Sequence, residues 1–251
     1  SAASDVYKRQ LISDIGALLV VYWKSYLVNL GNTLLLALVA TAIGCLIGLI
    51  CGILNTIPYT KNDNWFKRFI LKLIRVIVRI YVEVFRGTPM VLQAVFIYYG
   101  LPYFSNNQYR FDSMWAAAIL IVSINTGAYM AESVRGGIIS IDPGQTEGAK
   151  AIGMNHYQTM TSIILPQALR NMVPALLSQF VTTIKDTSYL WGAMALQELM
   201  GRGMILMNSY NSTAQIFAIF GIMALIYFVV CFTLSQIVRA YQRRLKEART
   251  A

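Results

Sequence analysis

Five apolar stretches, each about 20 residues or longer, limit the fold of this chain more than any other feature of its sequence. A helix needs about 20 mostly apolar residues to cross the hydrocarbon core of a bilayer, so each stretch predicts one crossing. Hydrophobic residues make up 57% of the chain and charged residues only 13%, which is typical of a membrane protein. The sequence therefore predicts an all-α polytopic membrane protein. Its five transmembrane helices are expected at residues 27–54, 82–101, 113–138, 174–200 and 214–238.

Basic residues in the connections predict the orientation, because cytoplasmic loops carry an excess of Lys and Arg. With the N-terminus outside, the cytoplasmic segments are residues 55–75, residues 133–172 and the tail from Arg239, which hold five, three and five basic residues. The outer segments hold three, Lys24, Arg110 and Arg202, when residues 1–10 are left out. This ratio predicts an outer N-terminus and a cytoplasmic C-terminus. The basic residues that give the net charge of +10 are explained by this orientation, so no nucleic-acid partner is expected.

The first ten residues, SAASDVYKRQ, fit nothing that follows them. Asp5 to Gln10 is the translation of GATGTGTATAAGAGACAG, a transposon-end adaptor used in preparing sequencing libraries. We therefore expect residues 1–10 to be an adaptor-derived scar and residues 11–251 to form a single transmembrane domain. The three cysteines lie inside apolar stretches without metal-ligand spacing, so neither a disulfide framework nor a metal site is predicted.

Residues 142–170 form a long segment of mixed polarity between the third and fourth predicted crossings. Asp142 is suited to cap a helix N-terminus, and Pro143 fits the first helical position, where no N–H is needed. Gly153 is typical of a helix end. These residues predict a short helix that begins at Pro143 and stops at the glycine.

A second short helix is predicted directly after it. Asn155 and Gln158 have the spacing of a capping box, and the helix is expected to end near Leu165 because Pro166 follows. The segment is either an ordinary cytoplasmic loop or a docking element. Docking is favoured, since loops of this length are uncommon unless functional. The small or flexible residues suited to enter a partner's groove are Ala149, Ala151, Ile152 and Met154.

Two adjacent charges fall near the middle of the fourth predicted crossing. A charge there costs about 2.5–3.5 kcal/mol on insertion scales, so Lys185 and Asp186 should face protein, water or a ligand. They either line a substrate route or form a structural ion pair between helices. The candidates for lining a route are Lys185, Asp186, Thr187, Ser188, Asn125 and Gln93.

Other features of the chain concern its inner surface. Glu132 and Arg135 lie near the inner end of the third crossing and are expected to hold an inner gate or the start of the docking segment. Basic and apolar residues alternate between positions 67 and 79, as in a cationic helix lying on the inner membrane face. Arg79 and Glu83 have the i,i+4 spacing of an ion pair.

Glycines recur every four residues in the first crossing, at Gly44, Gly48 and Gly52. Such a stripe lets another helix approach closely. Glycine is also simply common in membrane helices, so the stripe is equally consistent with having no packing role.

The stretch TEGAKAIGMNHYQTMTSIILP resembles the cytoplasmic EAA-loop signature of ABC importer permeases. In this match Glu147, Gly148 and Ala149 occupy the Glu-Ala-Ala positions and Gly153 is the signature glycine. The stretches FRGTPMVLQAVFIYYGLP, AYMAESVRGGIISIDPGQTEGAKAIGM, ILPQALRNMVPALLSQF and KDTSYL resemble permease subunits of polar amino-acid importers, the histidine, glutamine and arginine type. The resemblance runs in order from about Tyr26 to Arg244. Gly148 departs from the usual alanine, at a cost of up to about 1 kcal/mol in a helix.

The resemblance implies a permease subunit of the bacterial inner membrane that pairs with a second, identical or homologous permease. It implies an extracytoplasmic amino-acid-binding protein and separate ATPase subunits, which hold ATP and magnesium. The docking surface it implies is Glu147, Gly148, Ala149, Ala151, Ile152, Gly153 and Met154. The chain contains no G-x-x-x-x-G-K-[ST] stretch, so no cofactor is expected on it.

Two other classes of protein were weighed. An ion-coupled secondary carrier is normally built from internal repeats and more crossings, and no convincing repeat is present. A membrane-embedded enzyme would need a catalytic constellation, yet the chain has one histidine and no H-E-x-x-H motif. The sequence therefore favours a transport subunit over an enzyme.

Overall fold

The computed structural model describes residues 2–59 and 63–250 of the chain, and helices dominate this part. The first half holds helices α1 (Ala2–Thr56), α2 (Trp65–Gly87), α3 (Met90–Phe104) and α4 (Met114–Ile139). The second half holds α5 (Pro143–Ala151), α6 (His156–Thr159), α7 (Leu165–Asp186), α8 (Tyr189–Met194), α9 (Leu199–Met207) and α10 (Thr213–Thr250). The all-helical fold class predicted from the sequence is confirmed.

Within residues 2–59 and 63–250, three helical segments are long and apolar enough to cross a membrane, and one shorter apolar helix accompanies them. The long segments are Lys8–Thr56, Met114–Ile139 and Thr213–Arg244, and the short helix is Met90–Phe104. The first, third and fifth predicted crossings lie within α1, α4 and α10.

The second predicted crossing, at residues 82–101, is not one continuous helix, as Gly87 and Pro89 in its sequence predict. Helix α2 ends at Gly87, and α3 begins only at Met90. Thr88 between them has an extended backbone, with φ −122° and ψ 147°. The cause is Pro89, because a proline ring disfavours helical backbone in the residue before it.

The fourth predicted crossing, at residues 174–200, is wrong as a continuous helix. Helix α7 ends at Asp186, α8 covers only Tyr189–Met194, and Ala195 adopts a left-handed backbone with φ 55°. Helix α9 starts at Leu199. Lys185 therefore lies in the last turn of a helix rather than near the middle of one.

The predicted end of the second short helix before Pro166 is wrong as well. A π-helical turn at Met160–Ile164 joins α6 to α7, and the helical backbone continues through Pro166. In this wider turn the N–H of Leu165 donates to the carbonyl of Met160, five residues back. Pro166 has no N–H to satisfy, so it fits the start of α7.

The contacts divide the chain into two compact units. The first unit comprises residues up to Val39, Ala94–Ile119 and residues from Val181 onward. The second unit comprises Ala40–Gln93 and Leu120–Phe180. The first unit has an apolar core in which residues of α1, α9 and α10 meet, among them Leu18, Leu199 and Ile219.

The glycine stripe lies in the second unit and contacts α4 of the same chain. A methyl group added at Gly48 would lie 2.7 Å from the carbonyl carbon of Met130 and 2.8 Å from the backbone nitrogen of Ala131. One added at Gly44 would lie 2.8 Å from the Cβ of Thr126. The predicted close approach of another helix is thus confirmed, and the helix is α4.

Candidate coupling and pathway sites

Helix α5 begins and ends with side-chain and backbone caps. The carboxylate of Asp142 accepts a hydrogen bond from the N–H of Gly144 at 2.7 Å, and Pro143 occupies the first turn. At the other end Gly153 has φ +85°. Its N–H donates to Lys150 at 3.0 Å, while the N–H of Met154 donates to Ala149 at 3.0 Å. This is a Schellman motif, which requires a left-handed residue and therefore favours glycine.

Helix α6 begins with the predicted capping box. The side chain of Asn155 accepts from the N–H of Gln158 at 2.9 Å, and the side chain of Gln158 accepts from the N–H of Asn155 at 2.9 Å. Hydrogen bonds within the segment thus hold both the end of α5 and the start of α6. The turn between the two helices therefore has a defined shape. We call residues 142–164 the coupling segment from here on.

The coupling segment presents apolar side chains to its surroundings. Ile152 is 77% exposed and Tyr157 is 74% exposed. Glu147, Gly148, Ala151 and Gly153 are also exposed, and Met154 is half-buried. Ala149 is buried by the chain itself, so it supports α5 rather than presenting a side chain. Large apolar residues exposed beside charged ones are typical of an interaction surface.

The inner end of the coupling segment is anchored in an apolar core. Met160 and Ile164 of the π-helical turn pack with Val134 and Ile138 of α4, and with Ala168 of α7. The capped tip is thereby attached to two long helices. A displacement of the tip would be passed to both helices through these contacts.

The surroundings of His156, at the start of α6, shift the pKa of its imidazole. Partial burial lowers its pKa below the ordinary value of 6.5, and the positive charges of Lys150 and Lys67 lower it further. The imidazole is therefore held in its neutral form more strongly than in an unfolded chain.

The predicted pathway residues near the end of α7 lie in the first unit. Lys185 is exposed and lines a cavity of about 280 Å³, together with Arg239 of α10. Asp186 is half-buried. The hydroxyls of Thr187 and Ser188 donate to backbone carbonyls of α7, at 2.9 and 2.6 Å. Among the described side chains neither charge forms an ion pair, so the structural ion pair that was the alternative is not formed there.

Gln93 and Asn125 are brought together in the second unit, where both are buried. The Asn125 amide donates to the Gln93 carbonyl oxygen at 2.8 Å. The Gln93 amide donates to the backbone carbonyls of Phe85 and Thr88, each at 2.9 Å. These bonds satisfy carbonyls left free where α2 ends, so the pair holds the α2–α3 break against α4.

Glu132 and Arg135 form an ion pair on α4. The Nε of Arg135 donates to the Glu132 carboxylate at 3.0 Å, and its Nη2 forms a second contact with the other oxygen. Both residues are half-exposed and line a cavity that also contains Arg86. The predicted pair of Arg79 with Glu83 is not formed among the described residues.

Sequence reasoning missed a buried carboxylate in the first unit, Glu198. It is fully buried, and its two oxygens accept three hydrogen bonds. Thr33 of α1 and Tyr227 of α10 donate to one oxygen at 2.9 Å each, and the N–H of Gly201 donates to the other at 3.0 Å. The available signal was an ionisable residue amid apolar neighbours, which by default marks a structural or functional site.

A family model settles the class of this protein. The model described as "Binding-protein-dependent transport system inner membrane component" matches residues 44–247. The chain belongs to this family. As such a component, this permease is a transport subunit and not itself an enzyme.

Curated relatives of this permease are amino-acid transport components. It is 34% identical over 214 residues to the glutamine transport system permease protein of Escherichia coli (strain K12), covering 85% of this chain and 90% of that protein. It is 32% identical over 221 residues to the arginine transport system permease protein of Bacillus subtilis (strain 168), covering 87% and 91%.

Solved structures give the same fold. An amino acid ABC transporter crystallised with histidines matches this permease with a TM-score of 0.75 and 31% identity, over 90% of this chain and 96% of that chain. An inward-facing methionine ABC transporter matches with a TM-score of 0.62 over 85% and 94%. The latter is only 20% identical and therefore supports the fold alone.

Proposed function

We propose that this permease carries polar amino acids across the bacterial inner membrane as part of an ABC importer. Relatives named for glutamine and arginine support this substrate class. The permease pairs with a second permease, identical or homologous, and receives substrate from an extracytoplasmic binding protein. ATP and magnesium are held by separate ATPase subunits, and this chain binds no cofactor. These relatives also favour an importer over an ion-coupled secondary carrier.

The proposed topology has five crossings, with the N-terminus outside and the C-terminus in the cytoplasm. Helices α1, α4 and α10 supply three of them. The broken helices supply the other two, the second around α3 and the fourth along α7. The thirteen basic residues of the inner connections support this orientation. The proposal also keeps residues 1–10 as an adaptor-derived scar.

The coupling segment is the proposed docking site for the ATPase. The observation that supports this most is that a tip capped at both ends exposes Ile152 and Tyr157 to more than 70%. The proposed docking surface is formed by Glu147, Gly148, Ala151, Ile152, Gly153 and Met154. Ala149, which was also predicted to belong to it, is buried and supports this surface from beneath. When the ATPase closes, the tip moves and the π-helical turn passes that movement to α4 and α7.

The proposed substrate route includes Lys185, Asp186, Thr187 and Ser188 of the first unit. Asn125 and Gln93 are separate candidates in the second unit. A zwitterionic amino acid offers a partner to each of the two charges at the end of α7. The Glu132–Arg135 pair is the proposed inner gate. Uptake kinetics of Lys185→Ala and Asp186→Ala test the route, because unchanged KM and kcat in both would remove these residues from it.

The docking proposal is tested by substituting single residues of the coupling segment. Gly153→Val forces a branched side chain into a left-handed backbone, at a cost of about 1–2 kcal/mol. It should abolish uptake into proteoliposomes while the permease still inserts and the ATPase still hydrolyses ATP. Glu147→Arg, which reverses an exposed charge, should have the same effect. Gly148→Ala is the matched control, because alanine is usual at this position of the signature and a methyl group there meets nothing within 4 Å in this chain.

Two results of these uptake assays would contradict docking at the coupling segment. Uptake at normal rates by both Gly153→Val and Glu147→Arg would contradict docking at this segment. Equal loss of uptake in Gly148→Ala would also contradict it, because that change leaves the cap intact and adds no clash.

A further inference from the structure

The second unit contains a large, positively charged cavity to which the proposed transport function assigns no ligand. It measures about 1130 Å³ and lies among the end of α1, helix α2 and the second half of α4. Two carboxylates line it, Glu83 and Glu132. The basic residues that line it are Lys72, Arg75, Arg79, Arg86 and Arg135. Five positive and two negative side chains leave a formal charge of +3, which favours an anionic ligand.

Most of this positive charge is not neutralised by the chain. Arg135 is paired with Glu132, and Arg86 rests 5.6 Å from the ring centre of Tyr129. Lys72 and Arg79 are exposed, and among the described residues neither forms an ion pair. Cations that lack a carboxylate partner are available to a ligand that brings negative charge.

Arg75 is held in place yet incompletely bonded. Its Nη2 donates to the carbonyl of Ile57 at 2.6 Å, and its guanidinium lies 4.5 Å from the ring centre of Tyr59. Its Nε is buried and has no hydrogen-bond partner among the described residues. A buried donor without an acceptor is costly, so an acceptor oxygen entering this cavity would be stabilised.

Helix α2 lines the cavity with apolar side chains as well as basic ones. Val76 and Ile80 line the cavity and are 53% and 57% exposed. Ile77 and Leu73 extend the same exposed apolar surface along the helix. A ligand that fits both features carries a negative head and long apolar chains. Basic pockets beside membrane helices bind phospholipid headgroups in this way.

We propose that this cavity binds the phosphate headgroup of an anionic phospholipid, with the acyl chains along the exposed apolar face of α2. Arg75, Lys72 and Arg79 supply donors to the phosphate oxygens. Inorganic phosphate shares this headgroup chemistry but has no apolar part. Placement of the lipid in the cytoplasmic leaflet rests on the proposed topology, whereas binding itself does not.

The test measures the Kd of full-length permease in neutral detergent for phosphatidylglycerol, by native mass spectrometry at 0.15 M salt. The double variant Lys72→Gln/Arg79→Gln removes two cavity cations and should weaken binding about 30-fold. The control Arg243→Gln/Arg244→Gln removes two exposed cations of α10 that do not line the cavity. It should change the Kd by less than about twofold, because neither residue belongs to the proposed phosphate site.

A third variant tests the sign of the effect. Glu83→Gln removes a negative charge from the cavity and should tighten binding of phosphatidylglycerol. Equal weakening in the two double variants would overturn the proposal, because it would mean attraction to the basic surface in general. Equal binding of phosphatidylcholine would overturn it too. Complete displacement of phosphatidylglycerol by millimolar inorganic phosphate would make the ligand free phosphate rather than lipid.

Discussion

The carboxylate of Glu198 joins three helices that are far apart in the sequence. It accepts bonds from Thr33 in α1, from Tyr227 in α10 and from the first turn of α9. Thr33 in turn accepts from the N–H of Leu199 at 3.0 Å. A buried carboxylate is tolerated only when its oxygens are hydrogen-bonded, and these donors meet that condition. The residue therefore fixes where α9 begins.

Removing this carboxylate should destabilise the first unit. Glu198→Ala leaves the two hydroxyls and the Gly201 N–H without their acceptor, at an expected cost of about 3 kcal/mol or more. Unfolding of the purified protein in mixed detergent micelles measures the loss. The neighbouring exposed residue gives the control, because Gln197→Ala should stay within about 0.5 kcal/mol of the parent. Equal stability of the two variants would show that the Glu198 bonds contribute nothing.

His156 gives the coupling segment a dependence on pH. Its pKa is lowered in the folded protein, so below pH 6.5 the unfolded chain binds more protons at this residue than the folded one. Stability should therefore fall as the pH drops from 7.5 to 5.5. His156→Gln removes this contribution, and subtracting its melting temperatures from those of the parent isolates it. A difference that does not change with pH would contradict the lowered pKa.

The positions of small residues determine where a helix of this protein can pack closely against another. Along α1, the glycine stripe allows backbone contact with α4 in the second unit. In contrast, Gly31 lies earlier in the same helix and has nothing within 4 Å of the position of a Cβ. The two glycines provide a matched pair in one helix.

A methyl group should have opposite effects at these two positions. Gly48→Ala drives a carbon into the backbone of α4 and should cost about 1–3 kcal/mol. Gly31→Ala meets no neighbour and should be neutral or stabilise the helix by up to about 1 kcal/mol. Unfolding free energies of both variants test the comparison. If Gly48→Ala is as stable as Gly31→Ala, the two helices do not rely on this close contact.

The sequence predicted those elements of the fold that local chemistry controls. Asp142, Gly153 and the Asn155–Gln158 capping box lie within a few residues of the backbone groups they satisfy, so their pattern was enough. The break after Asp186 was not predicted. The start of α9 at Leu199 was not predicted either, because it depends on Glu198, whose partners in α1 and α10 are more than 25 residues away in the chain.

The candidate sites also differ in whether local sequence patterns were enough to predict them. The coupling segment was outlined from its caps and its family signature. The continuation of helix through Pro166 was missed, because a π-helical turn leaves no clear pattern in one sequence. Gln93 and Asn125 were chosen as polar residues within crossings, and only the structure brings the two amides together to bond the end of α2.

At the scale of the whole molecule, we propose that the permease is the passive partner in an ATP-driven importer. The sequence contains no P-loop stretch, and in the proposed importer the free energy of ATP hydrolysis enters through a separate ATPase subunit. The coupling segment is the part of the chain proposed to receive it. Its position between α4 and α7 then determines which helices move first.

Labelling of Ile152→Cys tests this claim most directly, after Cys45, Cys51 and Cys231 are replaced by alanine. A membrane-impermeant maleimide is applied to right-side-out and to inside-out vesicles, and to the latter with and without the purified partner ATPase. We expect labelling only in inside-out vesicles, because Ile152 is 77% exposed and lies on the proposed cytoplasmic side. We also expect the ATPase to protect it from labelling. Labelling from the outer face, or labelling that the ATPase does not reduce, would contradict this claim.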